Sequence, residues 1–213
     1  MIKAIVFDMD GTLVDSKDAV VTQLTDYSLK IGRQPLPRDQ LVKLIGRTDR
    51  DIARTLVGDD EDLIERTIAW FNESHEIYYG RLARLFPGVE QCLQLLRKKG
   101  YRLGIASNAT AEIVRRFIKW SGLGNLVEAT ATADQVPGKP APDMILKLVR
   151  EFGAQPSEVV YVGDTVIDVM AGRAAGTIVA AVSCGVDPID ELENAKPDLL
   201  LPLASWLCRA LRL

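Results

Sequence analysis

Two carboxylates stand two residues apart where the opening apolar run stops. In MIKAIVFDMDGTLVDS, the run from Ile2 to Phe7 ends at Asp8, and Asp10, Gly11 and Thr12 follow. Similar polar groups close or precede later runs: Ser107 and Asn108 in IASNAT, Lys139 in VPGKPAPD, and Asp164 and Asp168 in YVGDTVID. Each has a plainer reading by itself. Asp8, Ser107 and Asp164 suit helix caps or turns, Asp168 suits the first turn of a helix, and Lys139 suits a solvated loop. Together they amount to more. Carboxylates gathered on one rim repel one another unless a cation neutralises them. Oxygen-only ligation suits Mg²⁺, which takes a few carboxylates, keeps waters and accepts a phosphate oxygen. A metal, a lysine, a hydroxyl and backbone amides are what holding a phosphoryl group requires. Asp8 is then placed to act as a nucleophile. Asp10 returns to the same side of the strand end and is placed for proton transfer. Gly11 permits a conformation or a close approach that a side chain would obstruct.

These residues converge only if the intervening chain builds a parallel sheet, and its periodicity points to one. IKAIVF (2–7), RLGIAS (102–107), VVYVG (159–163), IVAAV (178–182) and DLLL (198–201) read as strands buried on both faces, with VEATAT (127–132) a weaker candidate. Helical patterns are expected over 88–99, 110–121, 142–153, 165–175 and 203–211. This alternation predicts an α/β fold with helices on both sides of a parallel sheet, whose ligands gather beyond the carboxyl ends of the strands. One interval breaks the rhythm. From about Ser16 to Leu85 there is no convincing strand, only helical spacing such as Ile64, Ile68, Phe71, His75 and Tyr78, until LFPGVEQ restarts the α/β pattern. The expected organisation is an α/β core of residues 1–15 and 86–213, with a small all-helical cap, 16–85, inserted after the first strand.

Composition narrows the class further. In 213 residues, 47% are hydrophobic and 26% charged, and the formal charge of −3 offers no broad attraction for nucleic acid or acidic membranes. No stretch approaches the ~20 apolar residues of a membrane span. Lys3 and Asp8 interrupt the N-terminus, so no signal peptide is expected. Cys92, Cys184 and Cys208 are odd in number and scattered, which points to reduced thiols in a cytoplasmic protein rather than a disulfide framework or zinc site.

The ordered set DMDGTLVDS, Ser107 in ASNAT, Lys139 in GKPAPD, and GDTVIDVMAGRAAG resembles the four motifs of the haloacid dehalogenase-like hydrolases, in particular the phosphoglycolate phosphatase-like and β-phosphoglucomutase-like members with a helical cap. The resemblance covers essentially the whole chain and implies a Rossmann-like core. It also implies roles. Asp8 would be nucleophile and Mg²⁺ ligand, and Asp10 general acid/base with its main-chain carbonyl on the metal. Ser107 would bind phosphoryl oxygens, with Gly11, Thr12 and Asn108 nearby, and Lys139 would pair with nucleophile and phosphate. Asp164 would bind Mg²⁺, and Asp168 would bind or support it. Relatives that are dehalogenases lack the acid at position 10, and ion-pumping ATPases carry threonine there, so Asp10 favours hydrolysis of a phosphate monoester.

Substrate choice is expected in the cap. In KLIGRTDRDIAR (43–54), Arg47 or Arg50 would hold a second anion bidentately, or simply balance Asp49 and Asp51 on a solvated face. Similar caps in phosphoglycolate phosphatases place specificity residues at this loop, so phosphoglycolate or a similar small phosphorylated metabolite is the expected substrate, with the chain a monomer or homodimer. His75, the single histidine, is expected to pack within the helical block, as are Trp70, Phe71, Tyr78 and Tyr79. Three alternatives stand. A β-phosphoglucomutase-type phosphomutase is disfavoured because DSKDAVVTQ carries no histidine. A receiver-like module accepting phosphate on aspartate would be shorter. A catalytically silent binding protein would not need every catalytic position filled.

Overall fold

A computed structural model describes all 213 residues. The chain begins with β1 (Ala4–Phe7), turns through β2 (Val14–Asp15), and enters four helices, α1 (Lys17–Lys30), α2 (Arg38–Val42), α3 (Asp49–Val57) and α4 (Glu61–Leu82). It returns through β3 (Arg84–Leu85) to α5 (Val89–Lys98), β4 (Arg102–Ser107), α6 (Ala111–Ser121), β5 (Ala129–Thr132) and α7 (Asp143–Glu151). β6 (Val159–Gly163), α8 (Val166–Ala174), β7 (Ile178–Val182), α9 (Ile189–Ala195), β8 (Leu199–Leu201) and α10 (Leu207–Ala210) complete it.

Six strands form one parallel sheet in the order β5-β4-β1-β6-β7-β8. Period-2 alternation explains how β1 can be apolar throughout. Ile5 and Phe7 face a core shared with Leu93 and Leu96 of α5 and Phe117 of α6. Ala4 and Val6 face the opposite core, with Met144 and Leu148 of α7 and Tyr161. The order places β1 where the chain switches direction across the sheet. To one side run β4 and β5, to the other β6, β7 and β8, and a crevice opens there beyond the strand ends. Register aligns Phe7 with both Ile105 and Val162, so Asp8 leaves the sheet beside Ser107 and Asp164.

The helices α1–α4 surround an apolar cluster of their own, including Leu24, Tyr27, Leu41, Ile52, Ile64 and Phe71. The chain leaves for this block and returns from it along adjacent strands, with Val14 paired to Leu85 and Asp15 to Arg84, antiparallel. All six strand expectations, the weaker one at 127–132 included, lie within two residues of the observed elements. Four departures have physical reasons. β3 lies inside the interval read as strandless, because two residues carry no period. The helix expected over 203–211 is a 3₁₀ turn, Ala204–Trp206, followed by the four-residue α10. α9 was not anticipated, its sequence IDELENA being mostly polar with Leu192 as its buried anchor. Cys92 of α5 and Cys208 of α10, expected as free thiols, are joined in a disulfide with Cα atoms 6.1 Å apart, while Cys184 is free. Their separation of 116 residues gave no spacing signal. No helix is long and apolar enough to cross a membrane.

Phe117 is fully buried between α6 and the sheet. Phe117→Ala should lower folding stability by about 3–5 kcal/mol, read as a lower urea midpoint at constant m-value. A midpoint unchanged by the substitution would contradict this account of the core.

Candidate active site

Asp8, the first residue beyond β1, is buried, and its amide N–H donates to the Val162 carbonyl at 2.8 Å. Lys139 reaches it from the loop between β5 and α7. The ammonium lies 2.7 Å from Asp8 Oδ1 and 2.7 Å from Asp168 Oδ1, with all three side chains almost wholly out of solvent. Burial disfavours the charge on Lys139, but Asp168 and Asp8 outweigh it and raise its pKa. Asn108 fixes the backbone that carries this lysine. Its Oδ1 accepts from Lys139 N at 2.8 Å, and its Nδ2 donates to Lys139 O at 3.2 Å.

Asp168 sits in the first turn of α8 and has no free valence. One oxygen accepts from the amides of Asp164 (3.2 Å) and Thr165 (3.1 Å) and from Thr165 Oγ1 (2.6 Å). The other accepts from Lys139 and from the Tyr161 hydroxyl at 2.7 Å. Burial works against its charge, yet Lys139, Thr165 and Tyr161 together hold the carboxyl below the usual range. Asp164 differs. It accepts from Thr12 Oγ1 (2.7 Å) and the Val186 amide (2.8 Å), but burial and the neighbouring Asp168 and Asp8 push its pKa well up. The main chain crowds it closely. A Cβ on Gly11 would fall 2.2 Å from Asp164 Oδ2, and one on Gly185 2.0 Å from it, and Gly11 also has φ of +78°. Glycine at position 11 is therefore required on both counts offered by the sequence.

One carboxylate oxygen of this acidic cluster lacks any partner. Asp8 Oδ2 is buried and accepts no hydrogen bond. Burial first, then Asp168, lifts the Asp8 carboxyl to about 7 despite Lys139. Oxygens of Asp8, Asp164 and Asp168 all lie within 4.8 Å of one another. An orphaned carboxylate oxygen among like charges, with oxygen donors only, fits a hard divalent cation such as Mg²⁺.

The helical block supplies the other wall. The Tyr79 hydroxyl, near the end of α4, donates to Asp10 Oδ1. Burial raises the Asp10 pKa, while Ser16, Tyr79 and Lys139 oppose the rise. Asn108 Nδ2 also donates to Gly46 O at 2.8 Å. The Thr110 amide donates to Asp49 at 3.2 Å, and its hydroxyl donates to Asn72 Oδ1 at 2.7 Å. Burial lifts Asp49 to about 7 against that amide. A partly open cavity of about 50 Å³ lies between the walls, with Asp8, Asp10, Ser107 and Asn108 on the sheet side. Ser107 Oγ accepts the Ala109 amide at 3.2 Å. Arg47 lines the cavity, is exposed and has no carboxylate partner, its Nε donating to Lys43 O at 3.3 Å. Arg50 pairs with Glu61 and Glu65 on the surface instead.

Asp8, Asp10, Ser107, Asn108, Lys139, Asp164 and Asp168 are thus brought together, with Gly11 and Thr12 packed on Asp164. Residues 5–182 match the sequence profile of the haloacid dehalogenase-like hydrolases. The chain belongs to that family. Among curated relatives, it is 29% identical over 207 residues to the pyrophosphatase PpaX of Bacillus cereus (strain AH820), covering 97% of this chain and 94% of the relative. It is also 29% identical over 208 residues to a phosphoglycolate phosphatase of Nitrosospira multiformis, covering 94% and 92% respectively. A solved structure from Bacteroides fragilis, described as a haloacid dehalogenase-like hydrolase, superposes with a TM-score of 0.88 at 26% identity, covering 97% of this chain and all of that one.

Sequence reasoning missed Tyr79, Asp49, Asn72 and Thr110 as site-wall residues. Tyr79 had a signal: Phe71, His75 and Tyr79 continue one i, i+4, i+8 stripe, whereas Tyr78 is half-buried and its hydroxyl donates to Asp26 at 2.9 Å. His75, read as packing, is 3% exposed, stacks on Tyr79 with ring centroids 3.8 Å apart, and lines the cavity. Burial, then Arg116, pushes its imidazole down to about 4 from 6.5. Unfolding lets that ring take up a proton between the two values. Its contribution to stability is therefore complete above 6.5 and is lost as pH falls towards 4. His75→Phe should flatten this acid-side decline by at most ~3 kcal/mol, measured by denaturant titration at stepped pH. A decline of equal steepness in the variant would remove His75 as its source.

Proposed function

We propose that the protein is a Mg²⁺-dependent phosphatase that hydrolyses a small phosphate monoester through a phospho-aspartyl intermediate on Asp8. The observation that carries this reading is the buried Asp8 carboxylate, with one oxygen held by Lys139 and the other left without a partner. Asp8, Asp164 and the main-chain carbonyl of Asp10 would hold the ion, which when bound offsets repulsion between the carboxylate and the phosphate dianion. Asp168 has its oxygens committed, so its role is to fix Lys139.

In the first half-reaction, Asp8 attacks phosphorus, the ester P–O bond breaks, and Asp10 gives a proton to the departing alcohol. Ser107 and Lys139 hold the phosphoryl oxygens. In the second, Asp10 takes a proton from water, which attacks phosphorus and releases inorganic phosphate, restoring Asp8. Tyr79 orients Asp10 for both transfers. The helical wall over the cleft would limit bulk water during the first.

Both curated relatives are named for substrates that carry a second anionic group, phosphoglycolate and pyrophosphate. Arg47, unpaired at the cavity, is the cation available for such a group here, which supports phosphoglycolate or a similar small metabolite. Phosphate release should require Mg²⁺ and fall by about 10³-fold or more in Asp8→Asn. Release that persists in that variant removes the nucleophile from Asp8. Arg47→Ala should raise KM for phosphoglycolate about tenfold or more with a smaller change in kcat. An unchanged KM returns Arg47 to the surface.

A further inference from the structure

Two polar residues among the cavity's lining, His75 and Gln23, are left unused by the phosphatase chemistry. Both ring nitrogens of His75 are buried and without a hydrogen-bond partner. A buried polar atom left so costs free energy, and native proteins keep few of them. Packing alone does not account for an imidazole here, since a phenyl ring would stack on Tyr79 equally well. Gln23 of α1 lines the same cavity. Its amide nitrogen is committed twice, to Phe71 O at 3.0 Å and Ser74 Oγ at 2.8 Å, which leaves its amide oxygen free to accept. The neighbouring lining is apolar, with Val20, Leu24 and Phe71.

We infer that His75 and Gln23 form a subsite for an uncharged hydroxyl on the organic half of the substrate, so that among small phosphate monoesters the enzyme prefers a hydroxyl-bearing one to phosphoglycolate, which carries none. The inference rests on the phosphatase reading above and narrows its substrate. A neutral imidazole offers one donor and one acceptor, and the glutamine oxygen offers one acceptor. A hydroxyl answers both, accepting from His75 and donating to Gln23. A carboxylate does not, because it has no proton for Gln23. The ring stays neutral at physiological pH, since burial and Arg116 disfavour its protonated form. Anion binding is thereby confined to the Lys139, Ser107 and Arg47 side of the cavity. A site with unpaired groups discriminates against an analogue lacking the hydroxyl far more strongly than an apolar pocket rejects an extra methylene.

Two measurements test this. Glycerol 3-phosphate and n-propyl phosphate share a three-carbon chain and differ in hydroxyls. In the wild type, kcat/KM should favour glycerol 3-phosphate by about tenfold or more. In His75→Phe the ratio should collapse to within about twofold, and His75→Gln should restore part of it. The chain holds one histidine, so its imidazole ¹⁵N signals report this subsite alone. In Asp8→Asn protein with Mg²⁺, glycerol 3-phosphate should shift them and n-propyl phosphate should not. A wild-type ratio near one, a ratio untouched in His75→Phe, or equal ¹⁵N shifts with the two esters would overturn the subsite while the phosphatase stands. If neither these esters nor phosphoglycolate releases phosphate, the phosphatase reading falls. The ¹⁵N comparison then still decides the subsite: a shift specific to glycerol 3-phosphate upholds it, and none overturns it.

Discussion

A single buried ammonium shared by two buried carboxylates sets the rest of the site. Lys139 binds Asp8 and Asp168 at the same distance, and neither acid could keep its charge so far from water without it. Removing one partner of such a group costs about 3–5 kcal/mol, because a charge is left uncompensated. The surroundings follow from that constraint. Thr165, Tyr161 and two backbone amides saturate Asp168, which keeps it ionised and fixed. Asn108 grips the lysine's main chain on both sides. Asp8 has one oxygen anchored and one free, the state a positioned nucleophile requires.

The sequence exposes this centre well because its residues lie at strand ends. A strand buried on both faces must be apolar along its length, so a carboxylate marks where it stops. Asp8, Ser107 and Asp164 are legible for that reason, and a parallel sheet carries all three to one rim. Lys139 and Asp168 lie farther from a strand, yet fixed spacing from Asp164 and the loop motif identified them too. What the sequence hides depends on contacts between distant elements. Tyr79 reaches Asp10 across 69 residues, and helical spacing alone assigns it only a buried face. The β2–β3 pairing is too short to have a period. Cys92 and Cys208 meet because α5 and α10 share a core, a fact of packing rather than of spacing.

The helical block does more than cover the sheet's rim. It contributes Tyr79 as a hydrogen-bond donor to Asp10, Gly46 and Asp49 to the loop behind Ser107, and His75 and Gln23 to the cavity. The reacting phosphorus would therefore meet groups from the sheet, while the remainder of the molecule meets groups from the helices. The two origins are not independent, because Tyr79, Gly46, Asp49 and Asn72 of the helical block bond directly to Asp10, Asn108 and Thr110 of the sheet side.

Asn108 joins those halves through one amide. Its nitrogen donates both to the Lys139 carbonyl and to Gly46 of the helical block. Any withdrawal of that block wide enough to admit a solute would strip the Gly46 bond, while both bonds to the Lys139 main chain would stay. Parting of the two walls would therefore leave the ammonium in its seat between Asp8 and Asp168, already set for an incoming molecule.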